Sequence, residues 1–375
     1  MINIIIVGAG LIGPRHAQSV LSHPSTNLLA LIDPSPAAST VAASLNTLYF
    51  PSLTSLLSEP NTPHPDAAII CTPNHTHIPV SLELIRHNIH ILLEKPISDT
   101  ISTALPLLRA HQQQYPDTKI LIGHHRRFNP YITKTKEILD SGSLGNILAI
   151  SGLWTIYKPA SYFTGATEWR RDKDKGGVLS INLIHDVDLL HYLFGPITRV
   201  YAEKMMAQRG VVDEKHTAEE GAAITFRFES GVVGTFVVSD GVPAPWNFEA
   251  GTGENPIIPK VSKEDGSGGG GFYRIMGSQG SLSVPDLKRW SYDGVDGEKG
   301  WSERLRVQEF EVDEGVPFDL QLDHFVRVLE GSEMPRCDAV EGLRALVVVD
   351  AVKRAMENGE VVRVEGVEEI LARSD

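Results

Sequence analysis

Cysteine is scarce in this chain. Its 375 residues hold only Cys71 and Cys337, too few for a disulfide framework, so a reducing compartment is expected. No stretch approaches about 18 uncharged apolar residues, so no membrane span is expected. Basic residues are outnumbered: Lys+Arg total 34 against Asp+Glu 47, a formal net charge of -13. Such a surface repels phosphate backbones, which sets nucleic acid aside as a partner. The opening MINIIIVGAG lacks the charged start and long apolar region of a signal peptide, and a cytoplasmic location is expected. Walker loops, Ser/His/Asp triads and Cys-x-x-Cys patterns are also missing.

Charge is thin in one place. Residues 1–123 hold 5 Lys+Arg and 7 Asp+Glu, whereas residues 124–375 hold 29 and 40. A charge-poor segment rich in Ile, Leu and Val is expected where strands are buried on both faces of a parallel sheet. A domain boundary near Gly123 follows, giving domains 1–123 and 124–375. Within the first, the apolar runs Asn3–Val7, Leu28–Ile32, Ala67–Cys71, His90–Leu93 and Ile120–Ile122 alternate with helical patterns. That alternation predicts βαβ units and a doubly wound sheet. Beyond Gly123, strand patterns at Ile147–Tyr157, Val200–Ala207, Ala222–Phe228, Val232–Ser239, Phe272–Met276, Ser281–Val284 and Val307–Val312 follow in near succession. They predict an open, mostly antiparallel sheet in an α+β domain. Terminal helices are expected near Phe318–Leu329 and Ala339–Asn358 and may pack back on the first domain. The glycine-rich stretch Glu264–Gly271 reads as a mobile loop.

Gly8-Ala9-Gly10-Leu11-Ile12-Gly13 matches G-x-G-x-x-G directly after an apolar run and before a helix, with Pro14 suited to the first turn. One glycine makes the tight turn, the second lets backbone N–H groups approach a pyrophosphate, and the third lets helix pack on strand. Asp33 closes the second run, 20 residues after Gly13, where a carboxylate accepts hydrogen bonds from ribose hydroxyls. It also repels a 2′-phosphate, and Pro34–Ser44 contains no Arg or Lys, so NAD is expected rather than NADP. The fourth run ends in Glu94-Lys95-Pro96, at the edge where a doubly wound sheet binds ligands. Read alone, a lysine after a strand is ordinarily a solvated surface residue; partial burial would make it a proton or hydrogen-bond donor near neutrality.

Gly8-x-Gly10-x-x-Gly13, Thr72-Pro73-Asn74-x-x-His77 and Glu94-Lys95-Pro96 together resemble the glucose–fructose oxidoreductase / inositol dehydrogenase / MocA family in identity, order and spacing. Arg127-Phe128-Asn129-Pro130, Trp169-Arg170, Gly176-Gly177 and His185-x-x-Asp188 add to the match. The resemblance implies a Rossmann domain, a second domain with an open sheet, and a substrate site between them. It implies reversible hydride transfer between a nicotinamide cofactor and a sugar or cyclitol carbon. By the same resemblance Thr72, Pro73, Asn74 and His77 lie along the cofactor, Glu94 and Lys95 near the nicotinamide ribose and reacting carbon, and Trp169-Arg170 reaches the cofactor from the second domain.

One position departs from the family pattern, which usually has an Asp four residues before the histidine. Here that residue is Ile181, and the polar side chain is Asn182, three before His185. On an α-helix these two share a face, so both are expected to face substrate. Asn182 cannot act as a base. His185 is therefore expected to take the proton and Lys95 to hold the reacting oxygen. His185, Asp188 and His191 recur at three-residue spacing but form no zinc pattern, and no metal is expected. Tyr157 is a candidate substrate contact, whereas Trp154 reads as core. The 246–255 segment borders either the pocket or a subunit contact.

The leading expectation is an NAD-dependent dehydrogenase of a sugar, sugar derivative or cyclitol. A second reading keeps NAD bound in a redox-neutral elimination or glycoside cleavage. A third is a non-catalytic dinucleotide-binding sensor. A homodimer or homotetramer is expected from an exposed sheet face.

Overall fold

The computed structural model describes residues 1–261 and 271–373. Residues 264–270 of the glycine-rich stretch, where a mobile loop is expected, lie outside the described residues. The chain divides into two compact units. One comprises Met1–Phe128, Gly315–Leu346 and the segment from Val367 onward; the other comprises Asn129–Glu314 and Val347–Gly366.

The first unit holds six strands: β1 (Ile2–Val7), β2 (Thr26–Ile32), β3 (Leu48–Phe50), β4 (Ala67–Ile70), β5 (His90–Leu93) and β6 (Ile120–Ile122). All pair in parallel, in the order β3-β2-β1-β4-β5-β6. This is the doubly wound dinucleotide-binding order, and it reverses between β1 and β4. Ile4, Ile5, Ile6 and Ala67 to Ile70 are fully shielded from solvent. Burial on both faces is why this stretch of sequence carries so little charge. Strand β3 escapes the sequence reading because it is an edge strand of three residues with Leu48 half exposed, too short to show a period.

Two later segments complete this unit. Ser19 Oγ, on the Gly13–Ser22 helix, donates to Asp319 Oδ1 at 2.6 Å, tying in the Pro317–Leu329 helix. The Ile122 amide donates to the Cys337 carbonyl at 2.8 Å. Gly342 comes so close to Ile122 that a Cβ there would lie 2.7 Å from Cγ1, so the Ala339–Asn358 helix begins flat against β6.

The second unit is a nine-stranded sheet of β7 (Ile147–Thr155), β8 (Ile197–Lys204), β9 (Gly221–Phe228), β10 (Val233–Ser239), β11 (Tyr273–Gly277), β12 (Gly280–Val284), β13 (Lys288–Ser291), β14 (Arg306–Glu309) and β15 (Val362–Arg363). The order is β14-β13-β12-β11-β7-β10-β9-β8-β15. Every pairing is antiparallel except β7 with β10, so the sheet is mixed and mostly antiparallel. Strand β13 hides in the sequence because Lys-Arg-Trp-Ser shows no apolar alternation. Strand β9 shows the two faces plainly: Ala222, Ile224, Phe226 and Phe228 are buried while Ala223, Thr225 and Arg227 are exposed. On the buried face lies the Ile184–Phe194 helix. Phe194 meets Phe228 edge-on at 5.8 Å, and the Tyr273 hydroxyl donates to Asp186 at 2.6 Å. Gly152 in β7 is required because a Cβ there would lie 2.4 Å from the Phe236 ring.

No helix among the described residues is long and apolar enough to cross a membrane.

Candidate active site

The glycine turn leaves β1 with Gly8 at φ +105°, a backbone conformation closed to most side chains. A Cβ on Gly8 would lie 2.7 Å from the Cys71 carbonyl oxygen, and one on Gly13 would lie 2.0 Å from the Gly8 carbonyl oxygen. Around Gly10 the space is open, with nothing within 4 Å of a built Cβ. The turn therefore packs tightly at two glycines and leaves backbone approachable at the third. Leu11 and Ile12 are exposed on its outer side. The Gly13–Ser22 helix has Pro14 in its first turn and no side-chain cap, so its first N–H groups remain available to an anion. Asp33 completes the arrangement. Its Oδ2 accepts from the Ala9 amide at 2.8 Å and its Oδ1 from the Ser35 amide at 2.8 Å. A carboxylate has about four lone-pair sites, so both oxygens keep capacity for ribose hydroxyls. These residues fit a dinucleotide: an open backbone cradle, an uncapped helix start and a carboxylate anchored to the turn.

At the carboxyl end of β4, Pro73 and Asn74 are exposed and the Thr76 hydroxyl bonds the Thr72 hydroxyl at 2.7 Å. His77 opens the helix His77–Arg86. It is buried, with Nδ1 at 2.8 Å from the Pro96 carbonyl and Nε2 at 2.9 Å from the Thr72 carbonyl. Burial pulls its pKa below the usual histidine value, although both carbonyls and nearby carboxylates act the other way. Its contribution is to clamp the loops after β4 and β5 to each other.

Glu94 follows β5 and is buried. Its Oε1 lies 2.7 Å from His16 Nε2, and its Oε2 accepts the Lys95 amide at 3.2 Å. Burial alone would raise its pKa. The hydrogen bond and charge of His16, with the charges of His125 and Lys95, overcome that and hold it at about 2. Glu94 is thus a fixed negative charge next to the half-buried Lys95. Gly123 is needed for this: a Cβ there would come within 3.0 Å of the Glu94 Cα. The sequence reading missed His16. Its signal is the helical spacing of the buried positions Gly13, His16, Ala17 and Val20, which places a polar side chain on the inward face.

The second unit carries the remaining candidates. Leu179–Leu183 forms a π-helical turn, and the α-helix begins only at Ile184. Asn182 lies in the wider π-helical turn and His185 in the α-helix after it, so regular α-helical spacing does not run through both. His185 is buried. Asn182 is half-buried, and its Oδ1 accepts from Lys158 Nζ at 2.6 Å. Tyr157 is 57% exposed and joins Gly241 by a single antiparallel bridge, so the neighbouring Lys158, not Tyr157, meets Asn182. Trp154 is core, with its indole N–H donating to Glu249 at 2.8 Å. Trp169 is exposed, while the Arg170 guanidinium stacks 4.0 Å from the Tyr162 ring centroid.

Sheet order, glycine turn and acidic anchor define a dinucleotide-binding oxidoreductase fold. Residues 2–115 match the family described as "Oxidoreductase family, NAD-binding Rossmann fold", and residues 136–364 match "Oxidoreductase family, C-terminal alpha/beta domain". The chain belongs to the Gfo/Idh/MocA oxidoreductase family, and its first unit carries the NAD-binding Rossmann fold. It is similar to a scyllo-inositol 2-dehydrogenase (NAD(+)) of Bacillus subtilis, 24% identical with 96% of this chain and 95% of that protein covered. An uncharacterized oxidoreductase of the same organism is 29% identical, covering 61% of this chain and 64% of the relative. An inositol 2-dehydrogenase of Rhizobium meliloti is 26% identical, over 56% and 60%. The chain thus spans less than two thirds of the last two relatives. Among solved structures, the WlbA dehydrogenase of Bordetella pertussis, in complex with NADH and UDP-GlcNAcA, superposes with a TM-score of 0.73 at 22% identity, covering 97% and 99%.

Proposed function

We propose that the protein is an NAD-dependent dehydrogenase that acts on a CH–OH carbon of a sugar, sugar derivative or cyclitol. The observation that carries this reading lies within the first unit. The glycine turn, the Thr72–Asn74 loop and Lys95 leave the carboxyl ends of three neighbouring strands, β1, β4 and β5. A lysine beside a buried carboxylate therefore stands at the edge of the sheet that carries the cofactor turn. The names of the inositol dehydrogenase relatives supply the substrate class.

In this reading the Gly8–Gly13 turn and the start of the following helix take the pyrophosphate, and Asp33 takes the adenosine ribose in preference to a 2′-phosphate. Bound NAD supplies a hydride acceptor. Lys95 donates a hydrogen bond to the reacting oxygen, beside the buried carboxylate of Glu94. His185, from the second unit, takes the hydroxyl proton as the carbonyl forms. The second unit also recognises the substrate. Its exposed sheet face, with Val233, Thr235 and Met276 on β10 and β11, supports a homodimer or homotetramer. A panel of sugars, inositols and sugar acids, followed by NADH absorbance, tests the reading. At least one member should reduce NAD in proportion to its own oxidation. No reaction in either direction across the panel, or many turnovers without added NAD, would contradict it.

A further inference from the structure

Lys158 follows β7, and Asn182 lies on the π-helical turn that leads to His185. The 2.6 Å contact between them fixes the polarity of Asn182. An ammonium has donors only, so the amide atom facing it is the oxygen. The Nδ2 group is then turned the other way, and it makes no hydrogen bond among the described residues. The half-buried asparagine therefore presents its N–H donors away from Lys158. An aspartate at such a place would offer the reverse, a negatively charged acceptor suited to hydroxyl groups.

The surroundings of Lys158 point the same way. Its Nζ lies 4.5 Å from the Tyr162 ring centroid, and the Arg170 guanidinium lies 4.0 Å from the same ring. Arg170 Nε is buried and has no hydrogen-bond partner. The nearby carboxylates are engaged: Asp240 Oδ1 accepts from Arg209 at 2.6 Å, and Glu249 accepts from Trp154 at 2.8 Å. Asp240 Oδ2 reaches Lys158 only at 3.5 Å. Burial pulls Lys158 down to about 8, against the pull of Asp240 and Glu249 and with the repulsion of Arg170. Two cations on one ring and an outward amide donor form a patch that an anion would complete.

We propose that Asn182, oriented by Lys158, sets substrate specificity, and that it receives the carboxylate of an acidic polyol. This rests on the dehydrogenase reading and narrows its substrate class to sugar acids. A carboxylate fits better than a phosphate, because one negative charge suits a lysine already partly balanced by Asp240. Lys158 is a positioning residue, and Asn182 makes the contact.

The test compares matched compounds, each as neutral polyol, carboxylate and phosphate, on the wild type, Asn182→Asp and Lys158→Met. The readouts are kcat/KM and, separately, calorimetric binding to the NADH-loaded protein. The wild type should prefer the carboxylate over its neutral partner by at least about tenfold. Asn182→Asp should erase that preference, mostly by raising KM for the carboxylate. Lys158→Met should reduce it in the same direction. Asn182→Asp is nearly isosteric, so the test survives if Lys158→Met fails to fold. Equal handling of acid and neutral compounds, a phosphate preference, or an unchanged ratio in Asn182→Asp would overturn the proposal. Absence of turnover with every compound would instead sink the dehydrogenase reading, and the binding arm would still decide whether the carboxylate is favoured.

Discussion

Two lysines, the half-buried Lys95 and the buried Lys158, sit in contrasting settings. Lys95 stands at a strand end beside a carboxylate that His16 keeps ionised. Lys158 sits among aromatic rings, engages an amide oxygen, and shares its carboxylate with Arg209. The first setting is built by backbone geometry: parallel strands, a positive-φ glycine, a close approach at Gly123. The second is built by side chains brought together from several separate stretches of chain. The difference shows how a chain prepares charge for two tasks. One lysine stands next to a buried, ionised carboxylate, and the other is desolvated by burial with Asp240, Glu249 and Arg170 around it.

The largest effect is expected from breaking the Lys95 side of that contrast. His16→Ala leaves Glu94 buried and ionised without its partner. Removing one member of a buried pair typically costs about 3–5 kcal/mol. Urea unfolding at pH 7 should show a loss of that order. The sign with pH follows from the depressed value: Glu94 stabilises the fold above its unfolded value of about 4.3, and this is lost as pH falls toward 2. The gap between variant and wild type should therefore narrow by pH 3. A gap that is small at pH 7, or constant with pH, would show that His16 does not hold Glu94.

Asp33→Ala should have the next largest effect. It removes both the anchor of the Ala9 amide and the repulsion of a 2′-phosphate. Fluorescence titration should show wild-type preference for NADH over NADPH falling by about tenfold or more, with NADH affinity also reduced. Equal wild-type affinity for the two cofactors would take Asp33 out of its assigned role.

The parts of the fold and site that were legible in the sequence are those where the backbone imposes a residue type. Gly8 and Gly13 had no alternative, because a side chain would collide with the Cys71 and Gly8 carbonyls. The doubly wound sheet was legible because strands buried on both faces must be apolar throughout. Strands β3 and β13 were not, one being a short edge and the other lacking alternation. The Lys158 cluster left no pattern, since Trp154, Lys158, Tyr162, Arg170, Asn182 and Asp240 are separated by intervals that match no single element. The π-helical turn at Leu179–Leu183 also carries no sequence signature, so the segment before His185 reads as ordinary α-helix in sequence.

The smallest expected effect sharpens the Lys158 side. Its charge is present below about pH 8 and lost above it, with Asp240, Glu249 and Arg170 facing it. The ratio of kcat/KM for an acidic polyol to that for its neutral partner should fall several-fold between pH 7 and 9.5. Taking the ratio cancels the pH dependence of hydride transfer itself. A flat ratio would place the charged group elsewhere.

The central claim is that Lys95 and His185 divide the work of alcohol oxidation, one holding the reacting oxygen and the other taking its proton. The most direct measurement is the pH profile of kcat/KM for the wild type, His185→Ala and Lys95→Ala, read beside calorimetric NAD affinity. His185→Ala should lose at least about a hundredfold in turnover and alter the pH profile, with NAD affinity little changed. Lys95→Ala should lose turnover and substrate binding together while keeping the shape of the wild-type profile. Near-normal turnover and an unchanged profile in His185→Ala, with both lost in Lys95→Ala, would contradict the assignment and make the lysine the base.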